Sequence, residues 1–155
     1  MNYIIIEAEN INQARDKIEK AFKQETKIVV LAKDDEFNRK ILENKKVDAL
    51  LFQDFKNRKD KLKQRDSGLN HILCKLAKDN GIAIGIDFNV FSELEEKKLA
   101  VNIARLIQNI KLCSKYKLKM ILFNAKSKNN HDLFSLLVSL GMPTSMAKHI
   151  VEDKI

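Results

Sequence analysis

The stretch Leu69-Asn70-His71-Ile72-Leu73-Cys74-Lys75-Leu76-Ala77-Lys78-Asp79-Asn80-Gly81-Ile82-Ala83-Ile84-Gly85-Ile86 passes from one periodicity to another. Its first part sets apolar residues three and four apart, the spacing of one helix face. Gly81 is a usual helix stop, and Ile82–Ile86 is an apolar block without polar alternation. Such a block marks a parallel strand covered on both faces. The pattern recurs outward in both directions. Tyr3–Ile6, Ile28–Leu31, Ala49–Phe52 and Met120–Phe123 repeat the block, while Ile11–Lys23, Glu36–Asn44 and Glu93–Tyr116 repeat the helical spacing. In the longest helical segment Leu99, Ile103, Leu106, Ile110 and Cys113 form one stripe. The order β-α-β-α-β-loop-α-β-α-β, then two short helices, predicts an α/β protein with right-handed crossovers.

Capping residues punctuate the same segments. Asn10 or Asn12 suits the first helix, Asp66 or Ser67 the helix after the third strand, and Ser92 with Glu95 makes a capping box for the long helix. Pro143, after Gly141-Met142, suits the first turn of the final helix. With no linker in its 155 residues, the chain reads as one domain, 1–155. A complete (β/α)8 barrel takes about 250 residues. Pattern alone therefore favours an open, doubly wound sheet of five strands.

A composition of 45% hydrophobic and 32% charged residues, with four glycines and one proline, is that of a globular protein rather than a disordered or collagen-like one. No apolar run approaches the roughly 18 residues of a membrane span. The N-terminal Met1–Glu7 lacks the basic region and cleavage site of a signal peptide. A soluble, cytoplasmic chain without membrane contact is the expectation. Cys74 and Cys113 show no Cys-x-x-Cys spacing and fall on apolar helix stripes, which predicts buried thiols and no disulfide.

Twenty-nine Lys and Arg against twenty-one Asp and Glu give a net charge of +8. Most of the cations are lysines, which suit phosphate as point charges. The densest group, Lys56, Arg58, Lys59, Lys61, Lys63 and Arg65, follows the third strand and is opposed there only by Asp60. Parallel sheets bind ligands at the carboxyl ends of their strands, where this group falls. A second set, Lys97, Lys98, Arg105, Lys111, Lys115, Lys117 and Lys119, reads as the solvated face of the long helix.

The strand-end rim itself comprises Glu7, Lys33-Asp34-Asp35, Gln53-Asp54, Asp87-Asn89 and Asn124-Lys126-Ser127. It holds carboxylates but no histidine; His71, His131 and His149 lie on helices or helix starts. Metal-ligand spacing, a nucleophile elbow and a Gly-rich phosphate loop are all absent from the sequence. No catalytic residue and no metal ligand is assigned on this basis. The competing enzymatic reading is a small phosphoesterase using Asp34, Asp54 or Asp87.

The run Arg65-Asp66-Ser67-Gly68-Leu69-Asn70-His71-Ile72-Leu73-Cys74-Lys75-Leu76-Ala77-Lys78, followed by Asn80–Ile86, resembles archaeal ribonuclease P protein component 3. Asn38-Arg39 and Val47-Asp48-Ala49-Leu50-Leu51 upstream match the same family. Downstream, the lysine-rich helix, the Met120–Phe123 strand, Ala125-Lys126-Ser127 and Asp132-Leu133 to Leu140-Gly141-Met142 follow its order. The likeness runs from Thr26 to Ile150. It implies a TIM-barrel-like fold, related to the polymerase-histidinol phosphatase class but without that class's metal ligands. Family members carry an extra N-terminal βα unit and strand, so the resemblance implies a barrel shortened or incomplete at its N-terminus, with Tyr3–Ile6 matching a later strand than the first.

The resemblance also implies a function. In that family RNA is the catalyst, and the protein is a subunit of the ribonucleoprotein that removes the 5′ leader from precursor tRNA. The RNA uses magnesium, and the protein binds no cofactor of its own. The implied partners are ribonuclease P RNA, precursor tRNA and other ribonuclease P proteins, chiefly the RRM-like component 2. RNA contacts carry over to Arg58, Lys59, Lys61, Lys63, Arg65 and Lys126. Two departures stand out. The basic hallmark is split, with Lys61–Arg65 between Arg58-Lys59-Asp60 and Asp66-Ser67-Gly68, either as a five-residue insertion or with Arg65 in the arginine's role, and Phe123-Asn124 replaces the usual small hydroxyl or glycine pair before Ala125.

Overall fold

The computed structural model describes residues 2–53, 58–91 and 95–155. Its strands are β1 (Tyr3–Ile6), β2 (Lys27–Leu31), β3 (Ala49–Phe52), β4 (Ala83–Asp87) and β5 (Met120–Phe123). Its helices are α1 (Ile11–Phe22), α2 (Asp35–Leu42), α3 (His71–Asn80), α4 (Glu96–Tyr116), α5 (Asn130–Ser139) and α6 (Thr144–Glu152). No described helix is long and apolar enough to cross a membrane.

Local chemistry sets the helix ends, with corrections to the sequence reading. Asn10 caps α1 by accepting from Gln13 N at 2.9 Å. The cap of α3 is Asn70, which accepts from Ile72 N and Leu73 N, so the helix starts two residues later than predicted. Asp66 makes a tight turn instead, accepting from Gly68 N at 2.9 Å. The long helix α4 starts at Glu96 rather than Glu93, and Glu95 at its N-cap makes no side-chain cap bond. Ser92, the other half of the expected capping box, lies outside the described residues. Pro143 takes the N-cap position of α6 rather than its first turn. Gly81 ends α3 in the left-handed conformation, as predicted.

All five strands are parallel and neighbour one another in chain order, β1-β2-β3-β4-β5. A doubly wound sheet reverses its order once to place helices on both faces. A monotonic order with right-handed crossovers places them all on one face. The packing agrees. Ile28, Val30, Leu50, Phe52, Ile84, Ile86, Met120 and Leu122 face the helical layer, together with buried residues of α1 to α6. The opposite face carries Val29, Ala49, Leu51, Ala83, Ile121 and Phe123, flanked by Tyr3, Leu31 and Ile155, and includes no described helix residue. The open doubly wound sheet is thus replaced by the barrel-like arrangement.

The second face buries itself by curling. In a flat sheet the first and fifth strands lie about 19 Å apart. Here the rings of Tyr3 on β1 and Phe123 on β5 meet edge to face with centroids 5.9 Å apart. The inner apolar residues therefore pack across an arc of barrel. Ile155 bonds along the outer edge of β5, to Leu122 O and from Ala125 N, and adds its side chain to that cluster. Strand β1 lies at the other end of the strand order, beside β2 alone among the described strands, and Ile5 is 51% exposed.

At the amino ends of the strands Asp48 joins β2 to β3, accepting from Ile28 N at 2.8 Å and Lys27 Nζ at 2.7 Å. Cys74 and Cys113 are free and buried, and burial pushes both thiols up, Cys74 to about 11.

Gly85 makes the inner packing possible. A Cβ there would meet Phe123 Cε2 at 2.9 Å, Leu51 Cδ1 at 3.0 Å and the Leu51 backbone at 3.3 Å. Replacing Gly85 by Ala should cost about 1–3 kcal/mol, because one added methyl forces side chains and backbone apart. Urea denaturation checks this; equal midpoints for variant and wild type would refute the tight-core account.

Candidate nucleic-acid interface

The carboxyl ends of β1, β2 and β3 are tied together by a chain of polar contacts. Lys33 donates from Nζ to Ala8 O at 2.8 Å and Glu9 O at 3.0 Å, binding the first loop to the second. Asn38, wholly buried in α2, accepts from Lys33 N at 2.7 Å and donates to Lys33 O at 3.1 Å. The same carbonyl accepts from Arg58 Nη2 at 2.9 Å. Through Nη1, Arg58 also pairs with Asp35 at 2.9 Å and Asp66 at 3.0 Å. Gly68 packs against this guanidinium at φ +79°, and a Cβ there would stand 3.0 Å from its central carbon. Only glycine satisfies both the left-handed backbone and the close approach.

Asp60 is the second anchor. It accepts from Arg65 Nη1 at 2.7 Å, Asp66 N at 3.0 Å and Arg105 Nη2 at 3.2 Å. Arg105 Nη2 also donates to Arg58 O at 2.6 Å. The Asp66 N–H, aided by the Arg105 and Arg65 cations, holds the Asp60 carboxyl below the usual carboxylate range.

Arg105 corrects the sequence reading, which placed it on a solvated helix face. Its side chain is only 5% exposed. The buried face of α4 runs through Asn102, Arg105 and Asn109 as well as Leu106, Ile110 and Cys113, leaving Leu99 and Ile103 at its margin. Half of that face is polar, so hydrophobic periodicity cannot register it. The helical spacing of Asn102, Arg105 or Leu106, Asn109 and Cys113 is the signal that was available.

The residues expected to contact RNA divide into two groups. Arg58 has a side chain only 15% exposed and three protein acceptors, so it organises the loop from within. Arg65 is more open but paired with Asp60. Lys59, Lys61 and Lys63 stand exposed around the same segment. With Asp60 and Asp66 both paired to arginines, these lysines leave the loop strongly cationic. Lys126 is exposed on the turn after β5, at the same end of the sheet. Lys56 lies outside the described residues.

Two of the three carboxylates named for a phosphoesterase, Asp34 and Asp87, are otherwise occupied. Asp34 caps α2 by accepting from Phe37 N at 2.9 Å. Asp87, 3% exposed, accepts from Asn124 Nδ2 at 2.8 Å, Asn89 N at 3.0 Å and Gln53 Nε2 at 3.1 Å. Asn124 adopts φ +57° at this bond. Asp54 lies outside the described residues. Among the described residues no three His, Cys, Asp or Glu side chains gather as a metal site. His71, His131 and His149 are exposed.

Fold and rim together define a barrel-type α/β protein whose strand-end face is a braced cationic surface. Comparison with known proteins adds what the chain is similar to. Ribonuclease P protein component 3 of Methanocaldococcus jannaschii is 28% identical over 153 residues, which are 95% of this chain and 62% of that protein. The protein of the same name from Methanosarcina acetivorans is 34% identical over 85 residues, 55% of this chain and 32% of that one. A chain in the cryo-EM structure of archaeal ribonuclease P with mature tRNA superposes with a TM-score of 0.76 at 27% identity, covering 97% of this chain and 64% of that one. No protein-family model matches. The family resemblance read from the sequence is borne out: over nearly its whole length the chain is similar in sequence to ribonuclease P protein component 3 and in fold to a chain of archaeal ribonuclease P. It spans 62% of the length of the Methanocaldococcus relative.

The brace around Asp60 is testable. Arg105→Ala removes the donor from the half-buried Arg58 carbonyl and should cost about 1–3 kcal/mol, and should speed trypsin cleavage after Lys61 and Lys63 several-fold. Lys111→Ala on the exposed face should change neither. Since the Asp60 carboxyl is depressed, its bonds should persist at neutral pH and be lost only as pH falls through a value below its ordinary 3.8. Exchange of the Asp66 amide against pH reads this directly; protection lost already at pH 6 would disprove the brace.

Proposed function

We propose that this chain acts as a protein subunit of ribonuclease P, supporting RNA-catalysed removal of the 5′ leader from precursor tRNA. The observation that carries this reading is the likeness in fold, across 97% of the chain, to a protein solved within archaeal ribonuclease P. The chain's contribution is charge held in a fixed shape. Lys59, Lys61 and Lys63, with Arg65 and Lys126, approach RNA phosphates, while Arg58 positions the loop from inside. Each phosphate neutralised releases condensed counterions. Two polyanions, the catalytic RNA and its substrate, then approach with less repulsion, and the RNA's magnesium sites fill at lower magnesium concentration.

No side chain of this protein needs to reach the scissile phosphate, and magnesium belongs to the RNA. Aromatic residues make up only 6% of the chain, and Phe37, Phe52 and Phe123 are buried in its core, so recognition rests on backbone and shape more than on base stacking. The RRM-like component 2 is the expected protein partner. The phosphoesterase reading is disfavoured because Asp34 and Asp87 are committed to a helix cap and to a buried set of neutral donors.

Reconstituted cleavage of precursor tRNA across a magnesium titration tests the proposal. Joint replacement of Lys59, Lys61 and Lys63 by Ala should raise the magnesium required and lower the salt dependence of RNA binding by roughly three units of slope. Stability should change by no more than about 0.5 kcal/mol per exposed site. Equal replacement of Lys97, Lys98 and Lys111 on α4 is the control. A loop variant that cleaves like wild type, or turnover of simple phosphoesters by the protein alone with divalent metal, would overturn the reading.

A further inference from the structure

The tip of the cationic loop carries a leucine that touches nothing. Leu62 is 105% exposed, whereas the other large exposed apolar residues, Ile5, Phe22, Ile72 and Leu136, range from 41% to 53% and lie along strands or helices. A single exposed leucine ordinarily needs no explanation. This one differs in how it is held.

Lys61 and Gln64 close a tight turn through two backbone bonds, Lys61 N to Gln64 O at 3.0 Å and Gln64 N to Lys61 O at 3.3 Å, with Leu62 and Lys63 at its apex. Immediately below, Asp60 and Arg65 pair at 2.7 Å, and Arg105 fastens Asp60 to α4. One residue further on, Asp66 is tied to Arg58. The turn is thus a finger braced at its base, presenting an apolar knob between two lysines.

We propose that Leu62 is a wedge that enters an unpaired or unstacked step of RNA while Lys61 and Lys63 rest on the phosphates to either side. Apolar side chains inserted between bases are an established device of nucleic-acid-binding proteins, and RNA offers unstacked bases in its loops and bulges. The flanking charges favour RNA over a protein pocket. Closing an apolar pocket over Leu62 would strip water from two lysines, and the loop's own carboxylates are already paired with arginines. Phosphates flank an RNA step on both sides and neutralise both lysines. The inference rests on the RNA-binding reading above and specifies how the loop makes contact.

The test compares Leu62→Ala, Leu62→Phe and Lys61→Ala in binding to ribonuclease P RNA and to a fully paired RNA duplex, over a salt series. Leu62→Ala should weaken binding to the folded RNA roughly tenfold at unchanged salt slope, the scale of losing most of one buried leucine. It should leave duplex binding and thermal stability as in wild type, since Leu62 packs against nothing in the free protein. Leu62→Phe should restore the affinity. Lys61→Ala should instead reduce the slope by about one on both RNAs. If Leu62→Ala binds the folded RNA like wild type, the wedge is wrong although RNA binding stands. Loss of component 2 binding with RNA affinity intact would reassign the knob to a protein pocket and likewise overturn the proposal. Failure of the wild-type protein to bind either RNA would overturn the functional reading beneath it.

Discussion

A parallel sheet with all its helices on one side has nowhere to bury its other side except against itself. That constraint shapes this molecule. Tyr3 and Phe123, on the first and fifth strands, meet at 5.9 Å because the sheet curls until its inner side chains exclude water from one another. The curl depends on volume at one point. Gly85 leaves room for Phe123 and Leu51 where any side chain would collide. Burying the inner apolar set is worth about 25 cal/mol for each Å² removed from water, so curvature and core stability are one event.

Curvature also gathers the strand ends. In a curled sheet the loops after β1, β2 and β3 lie close enough to share side chains, and a continuous set of contacts runs from Ala8 through Lys33, Asn38, Arg58, Asp66 and Asp60 to Arg105. Two cation types divide the labour. Buried arginines, with planar multi-donor heads, satisfy carbonyls and carboxylates in fixed directions. Exposed lysines remain as mobile point charges suited to phosphate. The split hallmark noted in the sequence follows this division: the residues on either side of Lys61–Arg65 meet again through Arg58 and Asp66, and the intervening residues form the finger.

Among the described residues, the carboxylates at the mouth of the arc are held by other groups of the protein. Asp87 sits where barrel enzymes keep a reactive group, yet it is surrounded by the amides of Gln53 and Asn124 and the backbone N–H of Asn89. Neutral donors hold a carboxylate in place without presenting it to a substrate.

Strands, helices and the cationic loop were legible from the sequence because each depends on local pattern: apolar blocks, helical spacing, Gly81 as a stop, and the run from Lys56 to Arg65. The family likeness was legible too, carried by Arg65–Ile86. Three decisions lay beyond local pattern. Strand order decides between an open sheet and a barrel, and it depends on which strands pair, not on how any one strand reads. Asn70 rather than Asp66 caps α3 because Asp66 is claimed by Arg58 and Gly68, partners that only the folded loop supplies. Arg105 is buried and Leu62 exposed, the reverse of what their hydrophobicity suggests, because one finds a carboxylate and a carbonyl across the loop and the other stands at the apex of a turn. The sequence by itself determined where helices, strands and charge would lie. Only the tertiary structure decided which charges are spent inside the protein and which face outward, because that depends on partners distant along the chain.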